Sequence, residues 1–194
     1  YRHGNQTETS RIVHYVNQAG GEFERMETLD GPSREIIRTN DQVVCYLPGS
    51  KTVIIEKRGK RRFPALLPEQ LTGVADNYTV KATQMDRVAG HDCQVIQLIP
   101  RDKMRYGHHF CAEPTSGLLL RARTFNEKNE PLESFGFTQL RMGGSFNRDD
   151  VRSRYASRSK DWRVDHSQCA IAEAPGETGW VLTQRPAGFK KMTE

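Results

Sequence analysis

The 194-residue sequence contains no run of about 18 consecutive apolar residues, the length a helix needs to cross a bilayer. No charged-then-apolar leader stands at Tyr1, although a signal peptide already removed would leave the same picture. Cysteine is sparse: the four residues Cys45, Cys93, Cys111 and Cys169 include no C-x-x-C pair, which argues against a zinc ribbon or a thioredoxin-like redox motif. G-x-S-x-G, H-E-x-x-H and a Walker-type glycine loop are also missing, which lowers the expectation of catalysis without excluding it. What is present suits a sheet wet on one side, with 36% hydrophobic and 27% charged residues. The net charge of +5 implies some attraction to anionic partners, whether nucleic acid, acidic protein segments or phosphorylated head groups.

The first 145 residues run as short segments rich in Val, Ile, Thr, Tyr and Phe, separated by turn residues. Strands are predicted over Thr9–Asn17, Glu22–Leu29, Arg34–Thr39, Gln42–Leu47 and Lys51–Glu56. Further strands are predicted over Tyr78–Asp86, Asp92–Ile99, Arg105–Cys111, Leu118–Asn126 and Leu132–Met142. Joints such as Gly20-Gly21, Gly31-Pro32, Pro48-Gly49 and Ala89-Gly90 are too short for helical crossovers, so the expectation is an antiparallel meander. Phe63 to Leu71 breaks the pattern, with Pro64 and Pro68 among helix-spaced apolar residues, and reads as a short helix or lid across an open edge. From Phe146 to His166 the chain turns polar and Arg/Ser-rich, as a loose excursion would, before a short run at Trp162 to Asp165. A new apolar pattern begins at Trp180 and stops at Glu194 before it closes. The expected organisation is therefore a domain over 1–166, a linker over 167–179 and the beginning of a second domain over 180–194, in a piece of a longer protein.

Few constellations carry chemistry. His108 and His109 are adjacent on a predicted strand, so their rings point to opposite faces and cannot chelate one ion; no metal site is expected. The acid pairs Asp149-Asp150 and Glu127 with Glu130 lie in turns among basic residues and read as solvated loop charges, not acid/base machinery. No catalytic residue and no cofactor are expected. A turn around Arg101, Asp102 and Lys103 brings Cys93 roughly opposite Cys111, leaving two readings open, a disulfide formed in an oxidising compartment or two packed thiols.

The most distinctive cluster is Lys57, Arg58, Lys60, Arg61 and Arg62, running directly into Phe63, Leu66, Leu67 and Leu71. Cations beside an apolar lid are what a phosphorylated amphiphile or an acidic-hydrophobic peptide requires, while the plainer reading is a hairpin tip kept soluble by charge. A second basic run, Arg148, Arg152, Arg154, Arg158 and Lys160, is interrupted by Asp149, Asp150 and serines and lacks stacking aromatics, so nucleic acid is not expected as a partner.

Several segments resemble a known family. Leu29-Asp30-Gly31-Pro32-Ser33-Arg34-Glu35-Ile36-Ile37-Arg38 is similar to the second-to-third strand hairpin of the MucB/RseB periplasmic regulators. Ala89-Gly90-His91-Asp92-Cys93-Gln94-Val95-Ile96, Pro100-Arg101-Asp102 with Arg105-Tyr106, and Ser116-Gly117-Leu118-Leu119-Leu120-Arg121 resemble its central strands. Arg185-Pro186-Ala187-Gly188-Phe189 resembles the opening of the family's smaller second domain. The resemblance covers nearly the whole chain, in order.

It implies a mainly β fold of the kind found in the lipoprotein carriers LolA and LolB, a curved antiparallel sheet forming an unclosed barrel with short helices across its concave face. It further implies a periplasmic, non-enzymatic negative regulator of the envelope-stress response. Such a protein binds the periplasmic part of a MucA- or RseA-like anti-sigma factor, shields it from the site-1 protease, and is displaced by lipopolysaccharide or lipoprotein acyl chains. Phe63, Leu66, Leu67 and Leu71 are then expected to line the lipid-binding hollow, with Lys60, Arg61 and Arg62 on the head group. A LolA-like lipoprotein carrier is the rival reading. Cys45 and Cys111 are additional to the family pattern, and the near absence of the second domain leads one to expect weak anti-sigma binding by this piece alone. Nothing in the sequence sets the oligomeric state.

Overall fold

The computed structural model describes residues 1–40, 42–57, 73–145 and 147–166. In chain order its strands are β1 (Arg2–His3), β2 (Gln6–Thr7), β3 (Ser10–Val16), β4 (Glu22–Thr28), β5 (Glu35–Arg38), β6 (Gln42–Leu47) and β7 (Thr52–Lys57). After the one-turn helix α1 (Val74–Asn77) come β8 (Tyr78–Val88), β9 (His91–Pro100), β10 (Gly107–Ala112), β11 (Leu119–Phe125), β12 (Pro131–Gly136) and β13 (Arg163–Asp165). These elements fall into two compact units, one containing residues 1–7 and 73–142, the other 8–57 and 143–166 among the described residues. The fold is mainly β and antiparallel, and each unit carries its own open sheet.

The first unit holds a seven-stranded sheet in the order β2-β1-β12-β11-β10-β9-β8. Its long β8–β9 hairpin turns on Ala89 and Gly90, which both take positive φ (50° and 85°), the two-residue geometry that matches strand twist. The predicted Leu132–Met142 strand ends at Gly136, because its partner β11 begins at Leu119 and offers little further ladder. Beyond that point Phe137 and Leu140 fold onto a buried cluster of Val88, Cys93, Val95, Cys111 and Leu120.

Cys93 and Cys111 are joined in a disulfide, with Cα atoms 5.3 Å apart. The ladder, however, sets Val95, not Cys93, opposite Cys111. The β9–β10 connection spans residues 101–106 and its centre falls later than the predicted turn, because the Asp102 carboxylate accepts the Met104 N–H at 2.9 Å and pairs with Arg105. Moving the centre of a hairpin by one residue shifts its register by two.

The second unit holds a six-stranded sheet, β13-β7-β6-β5-β4-β3, in which consecutive strands pair antiparallel and β13 adds to β7 in parallel. One face carries a small apolar cluster of Ile36, Val43 and Cys45 with Met26, Leu47 and Ile54 packed against it. The other face brings Glu27 directly opposite Glu35, two like charges that a bare sheet would repel. Arg25 separates them, donating from Nη2 to Glu27 and from Nε to Glu35, each at 2.9 Å.

The polar stretch from 147 to 166, expected to be loose, is fastened to that face. Glu35, with no exposed surface, accepts the Arg154 N–H at 3.0 Å and the Ser153 hydroxyl, while the Arg154 guanidinium pairs with Glu27. Val151 is buried, and Tyr155 sits between Tyr46 and Trp162 with ring centroids 6.5 and 5.8 Å away. A fully buried carboxylate is tolerable only with charge and hydrogen-bond partners, and the segment supplies them.

Candidate functional site

The residues singled out from sequence as the lipid hollow, Phe63, Leu66, Leu67 and Leu71 with Lys60, Arg61 and Arg62, lie outside the described residues, as do the linker and the second-domain segment. The described surface best suited to a guest is one face of the seven-stranded sheet. Antiparallel register aligns two rows across it. In the first, Ala82, Ile96, Phe110, Ala122 and Phe135 stand opposite one another on successive strands. In the second the sequence is Val80, Leu98, His108, Thr124 and Glu133. Period-two alternation puts both rows on the same face. Most of these side chains are only half-buried, and Val80 is 51% exposed. An apolar row left partly open across neighbouring strands is a candidate place for a guest.

Aromatic rings border the rows. His108 stacks on Phe110 with centroids 5.8 Å apart and planes 8° off parallel, Tyr78 lies 6.0 Å from His108, and Phe135 meets Phe137 edge-on at 5.2 Å. Burial pushes the His108 ring below its ordinary pKa against the opposing pull of Glu133. His109 points the other way, packs against Phe125 at 4.5 Å, and is also lowered, first by burial and then by Arg123. Together with Leu98, Ile99 and Pro100 it borders a hollow of about 270 Å³ whose rim carries Asp102, Lys103, Arg105 and Glu127.

Sequence reasoning passed over the two residue sets that the geometry makes most prominent. The first is the Glu27–Glu35–Arg25–Arg154 cluster; a proline-free strand with alternating Glu and Arg reads as a wet face, and its partner segment lies more than a hundred residues away. There burial favours protonation of Glu27, but the hydrogen bond from Arg25 and the charges of Arg154, Arg25 and Arg11 outweigh it and hold the carboxyl below its usual range. The second is the Thr124–Glu133 pair beside His108, bonded at 3.1 Å. Its signal was present in the alternation of β11 and β12, but needed the register.

Residues 1–155 match the MucB/RseB N-terminal domain family. The chain belongs to the MucB/RseB family. Among curated relatives it is similar to the sigma factor AlgU regulatory protein MucB of Pseudomonas aeruginosa, 31% identical over 97% of this chain and 56% of the relative. It is also similar to the sigma-E factor regulatory protein RseB of Escherichia coli K12, 24% identical over 85% of this chain and 50% of the relative. Among solved structures, the Pseudomonas aeruginosa MucA/MucB complex superposes with a TM-score of 0.64 at 27% identity, covering 78% of this chain and 52% of the matched one. The chain thus spans about half the length of the relatives it matches. MucB/RseB proteins are regulatory binding proteins, not enzymes.

Proposed function

We propose that this chain is the guest-binding portion of a periplasmic negative regulator of envelope stress. It binds the periplasmic part of a MucA- or RseA-like anti-sigma factor and keeps that segment from site-1 proteolysis. The observation that carries this reading is family membership across residues 1–155, together with a MucB relative whose solved structure is a complex with MucA. An oxidising compartment agrees with the Cys93–Cys111 bridge. The mechanism is steric and needs no chemistry of the chain's own: a bound segment is unavailable to a protease.

Release follows from population shift. An amphiphile that binds one conformation better than another moves the equilibrium by its difference in affinity and no more. The half-buried apolar rows of the seven-stranded sheet support a lipid or lipoprotein acyl chain, or the acyl chains of lipopolysaccharide, as that amphiphile. The cationic Lys60, Arg61 and Arg62 and the apolar Phe63, Leu66, Leu67 and Leu71 remain the proposed head-group and lid residues on sequence grounds.

The deciding experiment mixes the purified chain with the periplasmic segment of the cognate anti-sigma factor, with and without lipopolysaccharide, and follows both capture and digestion by the site-1 protease. Capture and protection, both lost on adding lipid, are expected. Capture that lipid leaves untouched removes the release mechanism, and no capture by a chain extended through its second domain removes the reading altogether.

A further inference from the structure

The seven-stranded sheet has a second face, and there the register collects positive charge. Lys81, Gln97, His109, Arg123, Ser134 and Arg2 stand opposite one another on β8, β9, β10, β11, β12 and β1. None of the six is acidic, and Lys81, Arg123 and Arg2 are exposed. Among the described residues no ion pair holds any of these three cations; Arg2 Nε donates to the Gly4 carbonyl at 3.2 Å. Asp86, whose carboxyl feels Arg123, is already taken by Arg121. At the usual strand spacing Lys81 stands about 14 Å from Arg123, and Arg123 about 10 Å from Arg2.

One row away, about 7 Å along the strands, the same face turns apolar. Ile99, Gly107 and Phe125 each stand two residues from Gln97, His109 and Arg123, and so share their face. Gly107 lies opposite Phe125 and, with Ile99 and His109, borders the hollow of about 270 Å³. The backbone does not require glycine there. Its φ is not positive, and a Cβ would meet the Leu98 carbonyl oxygen at 3.6 Å and Pro100 Cδ at 3.7 Å, both ordinary contacts. What the glycine provides is space beside Phe125 and the 39% exposed Ile99. Of the charges on the rim, Asp102 is engaged by Arg105 and by the Met104 N–H, while Lys103 and Glu127 have opposite signs. The positive charge of this surface therefore comes from the row.

We propose that this second face docks an acidic protein segment, whose carboxylates meet Lys81, Arg123 and Arg2 while one bulky apolar side chain enters the hollow beside Gly107. Spacing selects the occupant. Three cations strung over about 24 Å do not converge on one phosphate, but they match carboxylates about four and about three residues apart on an extended chain. A lipid surface presents head groups in two dimensions, whereas this face offers one line of charge beside a hollow. The charges set register and encounter rate, and the buried side chain supplies the hold. The surface lies on the opposite side of the sheet from the half-buried apolar rows, and its assignment does not depend on the anti-sigma reading.

The test uses the whole chain and fluorescein-labelled peptides. The parent peptide carries three glutamates at that spacing with a leucine between the first two; a second has glutamine for every glutamate, and a third has alanine for the leucine. The parent is expected to bind about tenfold more tightly than the glutamine peptide, the worth of three screened ion pairs, and about tenfold more tightly than the alanine peptide, the worth of the buried methylenes. Raising salt from about 0.05 to about 0.5 M should erase the first preference and keep the second. Lys81→Glu with Arg123→Glu should remove the glutamate preference alone, and Gly107→Leu the leucine preference alone. An unchanged Tm shows that each variant is folded, and Gly107→Ala replaces Gly107→Leu where it is not. Equal binding of the parent and glutamine peptides, a leucine preference that survives filling of the hollow, or no peptide binding at all overturns the docking surface. Binding of phosphatidylglycerol vesicles through Lys81 and Arg123, with the parent peptide ignored, overturns it in favour of a membrane. A chain that captures the anti-sigma segment yet ignores these peptides loses this surface and keeps its regulatory role.

Discussion

The two units solve the same problem with different fasteners. In the seven-stranded sheet, a disulfide between residues 18 apart sits among Val88, Val95 and Leu120. In the six-stranded sheet the apolar cluster is smaller, and buried carboxylates reach across more than a hundred residues to hold a polar segment. A covalent bridge acts mainly by restricting the unfolded chain. The carboxylate cluster acts in the folded state, where desolvation and pairing nearly offset each other and the loss of one partner leaves a charge stranded. One unit should therefore answer to reductant and the other to acid and to single charge deletions.

The comparison breaks most sharply at Glu35. Glu35→Ala leaves Arg25 and Arg154 with Glu27 as their remaining buried carboxylate and strips the Ser153 hydroxyl and the Arg154 N–H of their acceptor, so a loss of about 3 kcal/mol is expected. Urea unfolding measures it, and limited proteolysis should cut first near residues 147–155. A variant as stable as the parent would mean that the segment is held by Tyr155 and Val151 alone.

Comparable in size is the bridge. Replacing Cys93 and Cys111 together with Ala is expected to cost about 3 kcal/mol, the closure entropy of a loop of this length. Thermal unfolding with and without reductant provides the reading: reductant should lower the parent's Tm and leave the double variant unmoved.

Acid discriminates between the units more finely. The Glu27 carboxyl lies below its ordinary value of 4.5 in the fold, so the unfolded chain takes up a proton first as pH falls. Its stabilisation is present above about pH 4.5 and is lost as pH drops through the lower folded value. The urea midpoint should fall over that window, and Glu27→Gln should start lower at neutral pH and fall less in acid. The smallest effect is expected at the exposed Arg152–Asp149 pair, 2.9 Å long but with both side chains about 70% exposed. There Arg152→Ala should change stability by less than about 0.5 kcal/mol, since solvent screens such pairs.

Much of the strand pattern was legible because period-two alternation and turn residues are local. β3 to β11 occur within a few residues of where the alternation places them, while β12 starts where expected and stops six residues short, at Gly136 instead of Met142. The two-residue strands β1 and β2 carry too little pattern to be seen, and are fixed by pairing with each other and with β12. The cysteine pairing was approachable from the hairpin, yet the register depended on the Asp102 turn. The site was less legible. Thr124 and Glu133 look like ordinary polar strand positions until β11 and β12 are aligned, and Tyr1 reaches Glu133 from the far end of the described chain.

By itself the sequence determined the class of this protein: a β meander with the MucB/RseB segments in order, few turns longer than a hairpin allows, and no catalytic signature. Those properties are written in neighbouring residues, where backbone sterics and side-chain alternation act over a handful of positions. Only the tertiary structure decided that the strands divide between two open sheets, that Glu35 is a buried keystone instead of a surface charge, and that His108 shares a hydrogen-bonded row with Glu133. Each of these depends on which distant strand comes to lie alongside, and burial and pairing follow from the neighbour.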